Sequence, residues 1–348
     1  MPELPEVERA RRLAHTHCVG RWIQHVDVVE DTIVMPDLPP RTFRDKLIGH
    51  QVVNTGRRGK LFWLTLDNDD ALLLHLGMTG NLAVKDAPRL IYRRPLNDDG
   101  SWPPKFYKFT LTLGKATPSS QEDASQPTDT VLAFSDARRF ARVRMCSSPL
   151  TSPFVTELGF DPLLDMPSEE TFSKLVLKRR LPIKALLLDQ KFLAGVGNWI
   201  ADEILYQSAV HPQQYTHTLT PGELQALHRN TVYVCETATK VNADHTQFPS
   251  DWLFHVRWGK GKRGVIPTTL NGHPIVFEKV GGRTSAIVPS VQHLRLVDDT
   301  SVATSTKAST KNKVKPEPLT TQIPSSKNHR ATRRSTRIRK SPRTSPYF

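Results

Sequence analysis

Apolar residues recur at helical spacing near the N-terminus, where Val7, Ala10, Leu13, Ala14 and Cys18 form one stripe between glutamates and arginines. The pattern predicts a helix over residues 5–18. Pro2 and Pro5 keep the chain from entering the helix early, and Glu3, Glu6 and Glu8 complement the positive end of its dipole. The period then changes. WIQHVDVV, QVVNTGRRGKLFWLTL, ALLLHLGM, KFYKFTLTL, VLAFSD and FARVRM are strand-like runs. RRPLNDDGSWPP and GKATPSSQEDASQPTDT, rich in polar residues, Pro and Gly, read as exposed loops. A helix followed by six strand runs predicts a β-sandwich or related two-sheet domain over 1–147.

Helical spacing returns at residue 168. SEETFSKLVLKRR, IKALLLDQ, WIADEILYQSAV and PGELQALHRNTVYVCETATKVN all carry it, and Ser168 with Glu169 and Glu170 marks a helix start. After Trp258 come glycines and the strand–turn–strand pattern PIVFEKVGGRTSAIV. The expected fold class is α+β: a sheet domain over 1–147, a linker over 148–167, a helical domain over 168–258, a hairpin over 259–292 and a tail over 293–348. Ser, Thr, Lys, Arg and Pro dominate the tail, a composition expected to be disordered. There is no internal repeat.

Charge changes this picture once it is located. The chain carries +14. Residues 301–348 hold six Lys, six Arg and a single acid, Glu317, so 14 − 11 = +3 remains for the other 300 residues. If a body so nearly balanced binds nucleic acid, it must do so through placed residues rather than through its net field. No apolar run is long enough to span a bilayer, so no membrane partner is expected. Cys18, Cys146 and Cys235 are far apart and suit neither a disulfide framework nor a zinc site, which points to a reducing intracellular compartment.

The stretch KFLAGVGNWIADE (191–203) joins two apolar segments through a glycine loop, with a helix opening just after Asn198. Free backbone N–H groups at such a start bind anions, and Lys184 on the preceding helix makes a phosphate site there plausible on chemical grounds. Ordinary helix connections share the pattern, so it is weak by itself.

Five motifs stand in a fixed order: MPELPEVE, RRGK (57–60), HLGMTG (75–80), DARRF (136–140) and GVGN (195–198). Together they resemble the formamidopyrimidine-DNA glycosylase (Fpg) family from residue 2 to about 292. The resemblance implies a β-sandwich followed by a helix–two-turns–helix domain with a β-hairpin finger. It implies a base-excision-repair enzyme acting on damaged double-stranded DNA as a monomer, with no cofactor. Pro2, exposed by removal of Met1, is then the nucleophile that attacks C1′, which is why the motif starts at residue 2. Glu3 is the general acid/base. Glu6 either orients the amine or serves the helix dipole. Lys60 either contacts the lesion's phosphates or is a solvated hairpin lysine. Met78, Arg138 and Phe140 match the three side chains that fill the hole left by a flipped base, with Arg138 facing the orphaned partner. Lys184, Asn198 and the finger's Arg283 match phosphate contacts.

The chain also departs from the family. Many members hold zinc in the finger with two C-x-x-C pairs; here Thr268, Asn271, Val288 and Val291 stand at those positions. The resemblance therefore implies a zincless finger with no metal, held by Val276, Ile287 and Val288. The segment before the finger, NADHTQFPSDWLFHVRWGKG, is short, which implies weak activity on 8-oxoguanine and better activity on formamidopyrimidines, spiroiminodihydantoin and guanidinohydantoin. In KFYKFTL, where the family often places histidine, Lys105 or Lys108 are the possible replacements for a phosphate contact. The basic run NHRATRRSTRIRKSPR reads as a nuclear address, a DNA arm or a solvated tail. Two alternatives stay open: an endonuclease VIII-like glycosylase preferring oxidised pyrimidines, and a protein that binds lesions without cleaving them.

Overall fold

The first helix, α1 (Leu4–Cys18), starts in a reciprocal cap: the Glu3 N–H donates to Glu6 Oε2 at 2.9 Å while the Glu3 side chain accepts from the backbone of Glu6. Its expected stripe is the one it buries. The computed structural model describes residues 2–87, 100–115, 129–259 and 267–295. The tail from residue 296 and most of the two polar loops lie outside them.

Eight strands follow α1, with one short helix among them: β1 (Trp22–Val28), α2 (Pro40–Asp45), β2 (Val52–Arg58), β3 (Leu61–Leu66), β4 (Asp70–His75), β5 (Asn81–Val84), β6 (Tyr107–Gly114), β7 (Thr130–Ser135) and β8 (Arg142–Ser147). They form two antiparallel sheets, ordered β1-β6-β7-β5 and β2-β3-β4-β8. The core lies between the sheets. Ile23, Val26, Phe109 and Phe134 meet Phe62, Leu64, Leu72 and Val143 there, with α1 laid against them. Alternate residues of β3 and β4 point to the other face, where Leu61, Trp63, Ala71 and Leu73 pack on Val155. Two buried faces explain why LFWLTL and ALLLHL read as continuous apolar runs. The run QVVNTGRRGKLFWLTL folds as two strands about the hairpin that carries Lys60: Gly59 takes φ +57° and turns β2 into β3.

The C-terminal half is helical: α3 (Pro153–Thr156), α4 (Glu169–Leu177), α5 (Ile183–Leu187), α6 (Asn198–Gln207) and α7 (Pro221–Lys240). Ser168 Oγ accepts the Thr171 N–H at 3.3 Å, so α4 begins where expected. Phe172, Leu186, Ile200, Ile204, Leu227 and Val234 form a second core, which includes Leu4 from the first helix. The two halves are further joined by ions. The Arg57 guanidinium grips Asp161 with two bonds, 2.5 and 3.1 Å, and donates to Glu8 at 3.2 Å. Asp161 also accepts the Gly59 N–H at 2.7 Å. Residues up to Arg295 form one compact unit.

The hairpin of β9 (Val276–Val280) and β10 (Arg283–Ile287) closes the described chain. One expectation here is corrected. Ile287 and Val288 are buried, but Val276 is 38 % exposed, because strand alternation turns Ile275 inward instead. Ile275, Ala286 and Val288 pack on Leu253.

Candidate active site

The glycine loop before α6 receives the N-terminus of the chain. The Leu4 N–H donates to Gly195 O at 3.1 Å, and Glu3 reaches the start of α6. Its carboxylate accepts three backbone N–H groups: Gly197 at 2.9 Å, Trp199 at 2.9 Å and Ile200 at 3.1 Å. A side chain at position 197 would collide with that carboxylate, which is a physical reason for the glycine. The helix start therefore binds an anion from within the chain, the Glu3 carboxylate.

Glu3 is buried, and burial raises its pKa against the opposing pull of Lys60 and the backbone N–H groups. Lys60 leaves the β2–β3 turn and donates to Val196 O at 2.9 Å; burial holds its pKa down, and Arg283 adds to that effect. Glu6 is pushed up to about 7 by burial and by the nearby Glu3 charge. Pro2, itself buried, directly precedes this acid pair. Pro2, a carboxyl raised above its usual range and a lysine lowered from its own thus share one place.

Met78, Arg138 and Phe140 all lie at the surface, with Met78 36 % and Phe140 48 % exposed. Exposure excludes a core role for these two apolar side chains. The buried Asp136 holds their loops together: it accepts from Thr79 Oγ1, from the Arg138 N–H at 3.1 Å and from the Ala141 N–H at 2.7 Å. Arg138 lies over the Phe140 ring, 5.0 Å from its centroid. Of the possible phosphate lysines in β6 and its approach, Lys105 is exposed, whereas Lys108 is buried and bound to Asp31 at 2.8 Å.

Lys184 departs from the phosphate contact expected of it. It is 0 % exposed, and its ammonium is paired with the carboxylate of Asp202. Asp202 also holds Arg257 and accepts the Ala286 N–H of β10 at 3.3 Å. One turn earlier, Asn198 Nδ2 donates to Thr284 O at 2.9 Å. The two α6 side chains clasp the finger strand and leave Arg283 exposed at its tip. Asp136 and Asp202 both lie inside quoted motifs, DARRF and KFLAGVGNWIADE, whereas Asp161 lies in none.

The finger's ends close without thiolates. The Val288 N–H donates to Gln292 Oε1 at 2.9 Å, and Gln292 Nε2 donates to Val210 O at 3.0 Å. Thr268, Asn271, Val288 and Val291 do not fit zinc, since none offers a soft donor and Val288 packs in the apolar cluster. Among the described residues no group of His, Cys, Asp or Glu converges as a metal site.

Residues 1–143 match the model of the formamidopyrimidine-DNA glycosylase N-terminal domain, and residues 158–250 match that family's H2TH domain. The chain belongs to the formamidopyrimidine-DNA glycosylase family. A formamidopyrimidine-DNA glycosylase of Arabidopsis thaliana is 38 % identical over 295 residues, which is 84 % of this chain and 71 % of that one. One from Desulforamulus reducens is 32 % identical over 309 residues, or 84 % and 99 %. A solved structure of the Lactococcus lactis enzyme, non-covalently bound to DNA containing an AP site, has the same fold, with a TM-score of 0.66 at 24 % identity over 84 % of this chain and 99 % of that one.

Proposed function

We propose that this member of the family is a bifunctional DNA glycosylase and AP lyase that removes oxidised purines from duplex DNA, with Pro2 as nucleophile. The observation that carries the reading is the buried Glu3 carboxylate, one residue after Pro2 and held between the start of α6 and the charge of Lys60. With Met1 removed, the Pro2 nitrogen is a secondary amine with an α-amino pKa of roughly 8. It attacks C1′ of the damaged nucleotide. The bond to the base breaks, and the base leaves with its electron pair and takes up the proton that the Pro2 nitrogen loses. The ring then opens at O4′, which takes its proton from Glu3. The product is a C1′ iminium on Pro2, an electron sink that acidifies C2′. Loss of the C2′ proton expels the 3′ phosphate, and a second elimination expels the 5′ phosphate. Lys60, Asn198 and Arg283 hold the phosphates flanking the lesion, and Met78, Arg138 and Phe140 fill the vacated stack. Lys184 acts through Asp202.

Formamidopyrimidines, spiroiminodihydantoin and guanidinohydantoin are the preferred substrates, and 8-oxoguanine is a weak one. Support comes from the segment after α7. Phe248, Trp252 and Phe254 fold it into an aromatic knot on Trp199, and its ends at Gly259 and Pro267 approach each other, with only residues 260–266 between them. The enzyme works as a monomer with a zincless finger, and its C-terminal basic run carries it to the nucleus. Excision rates on four duplexes, carrying a formamidopyrimidine, guanidinohydantoin, 8-oxoguanine or thymine glycol, test the reading. The first two are expected to be fastest. Thymine glycol fastest of all would instead favour the endonuclease VIII-like alternative.

A further inference from the structure

Four loops leave one end of the β1-β6-β7-β5 sheet. Asn81 and Tyr107 both pair with Ser135, and Val28 pairs with Phe109, so the residues just beyond these positions share a rim. Met78 lies on one loop, Arg138 and Phe140 on a second, Asp31 on a third and Phe106 on the fourth. The rim is tied together: the Asp136 N–H donates to Phe106 O at 3.1 Å, and Arg139 binds Asp31 at 2.9 Å.

Phe106 stands out on two counts. Its backbone has φ +61°, a conformation that sterically disfavours a bulky side chain. Its ring is 62 % exposed and belongs to none of the apolar cores. A strained backbone that presents an unburied aromatic ring suits a contact made only with a partner. We propose that Phe106 is a further DNA-binding residue, its ring packed on a base or deoxyribose beside the lesion, next to the void-filling loops. The inference rests on the reading that this rim faces DNA. The chemistry is apolar stacking, which every base accepts and which needs no phosphate.

Binding to a duplex carrying a tetrahydrofuran abasic analogue, measured across a salt series, tests this with Phe106→Gly and Phe140→Ala side by side. Phe106→Gly is expected to weaken binding about tenfold, the scale of one stacked base. The slope of log Kd against log salt should stay unchanged, since no phosphate contact is lost. Its melting temperature should equal or exceed that of the unmodified protein, because glycine adopts the positive φ freely. Wild-type affinity in Phe106→Gly, with Phe140→Ala weakened, would overturn the proposal and leave the DNA-facing rim intact. A lower melting temperature in step with the affinity loss would make the ring structural and also overturn it. Wild-type affinity in both variants would remove the rim reading itself.

Discussion

Glu3 holds two positions at once: it ends the N-terminal strand of chain before α1 and it caps α6. Glu3→Gln would set an amide NH2 against backbone donors, so a stability loss of about 1–3 kcal/mol is expected by denaturation. Base excision should fall by about 10²–10⁴-fold in single-turnover assays, the usual scale for a lost general acid. Glu6 makes a pH prediction. Its pKa rises from 4.5 unfolded to about 7 folded, so the folded state binds the extra proton between those values. That stabilisation is complete below pH 4.5 and is lost as pH rises through 7. Glu203, also raised to about 7 by burial, acts in the same direction. Glu6→Gln should therefore flatten part of the decline in melting temperature across this window; an unaltered profile would remove Glu6 as a source. Pro2, Glu3 and Lys60 stand out in the sequence because they sit in short motifs. Burial is not legible there, which is why Lys184, expected at a phosphate, instead pairs with Asp202.

At the level of elements, the joint between the two halves rests on β2, the loop at Asp161 and α1. Asp161→Ala leaves Arg57 buried without its main partner, and a loss of about 3–5 kcal/mol is expected in chemical denaturation. The finger hairpin should not depend on metal, since the Gln292 side-chain amide and an apolar cluster close it. Prolonged exposure to a strong zinc chelator is expected to leave lesion binding and excision unchanged; loss of activity restored by zinc would contradict this. The starts of α1 and α4, six strand runs and the finger hairpin are readable from period and punctuation, and RRGK marks the turn between β2 and β3. The short α2, α3 and β5, and the inward turn of Ile275 rather than Val276, are not. A one-residue phase error in a strand exchanges its faces, and apolar identity alone does not set the phase.

Over the whole molecule, charge is unevenly distributed: the last 48 residues carry +11 while the other 300 carry +3. Deleting residues 296–348 is expected to shallow the salt dependence of binding to undamaged DNA and to leave single-turnover excision unchanged. The proposed nucleophile, Pro2, lies at the other end of the chain. Borohydride trapping on a duplex with one formamidopyrimidine tests it most directly, run beside Pro2→Gly and a form keeping an extra N-terminal residue. A covalent protein–DNA band is expected, its adduct mapping to Pro2 and the band disappearing when the N-terminus is extended. Tight binding to the lesion with neither a trapped band nor strand cleavage would contradict it.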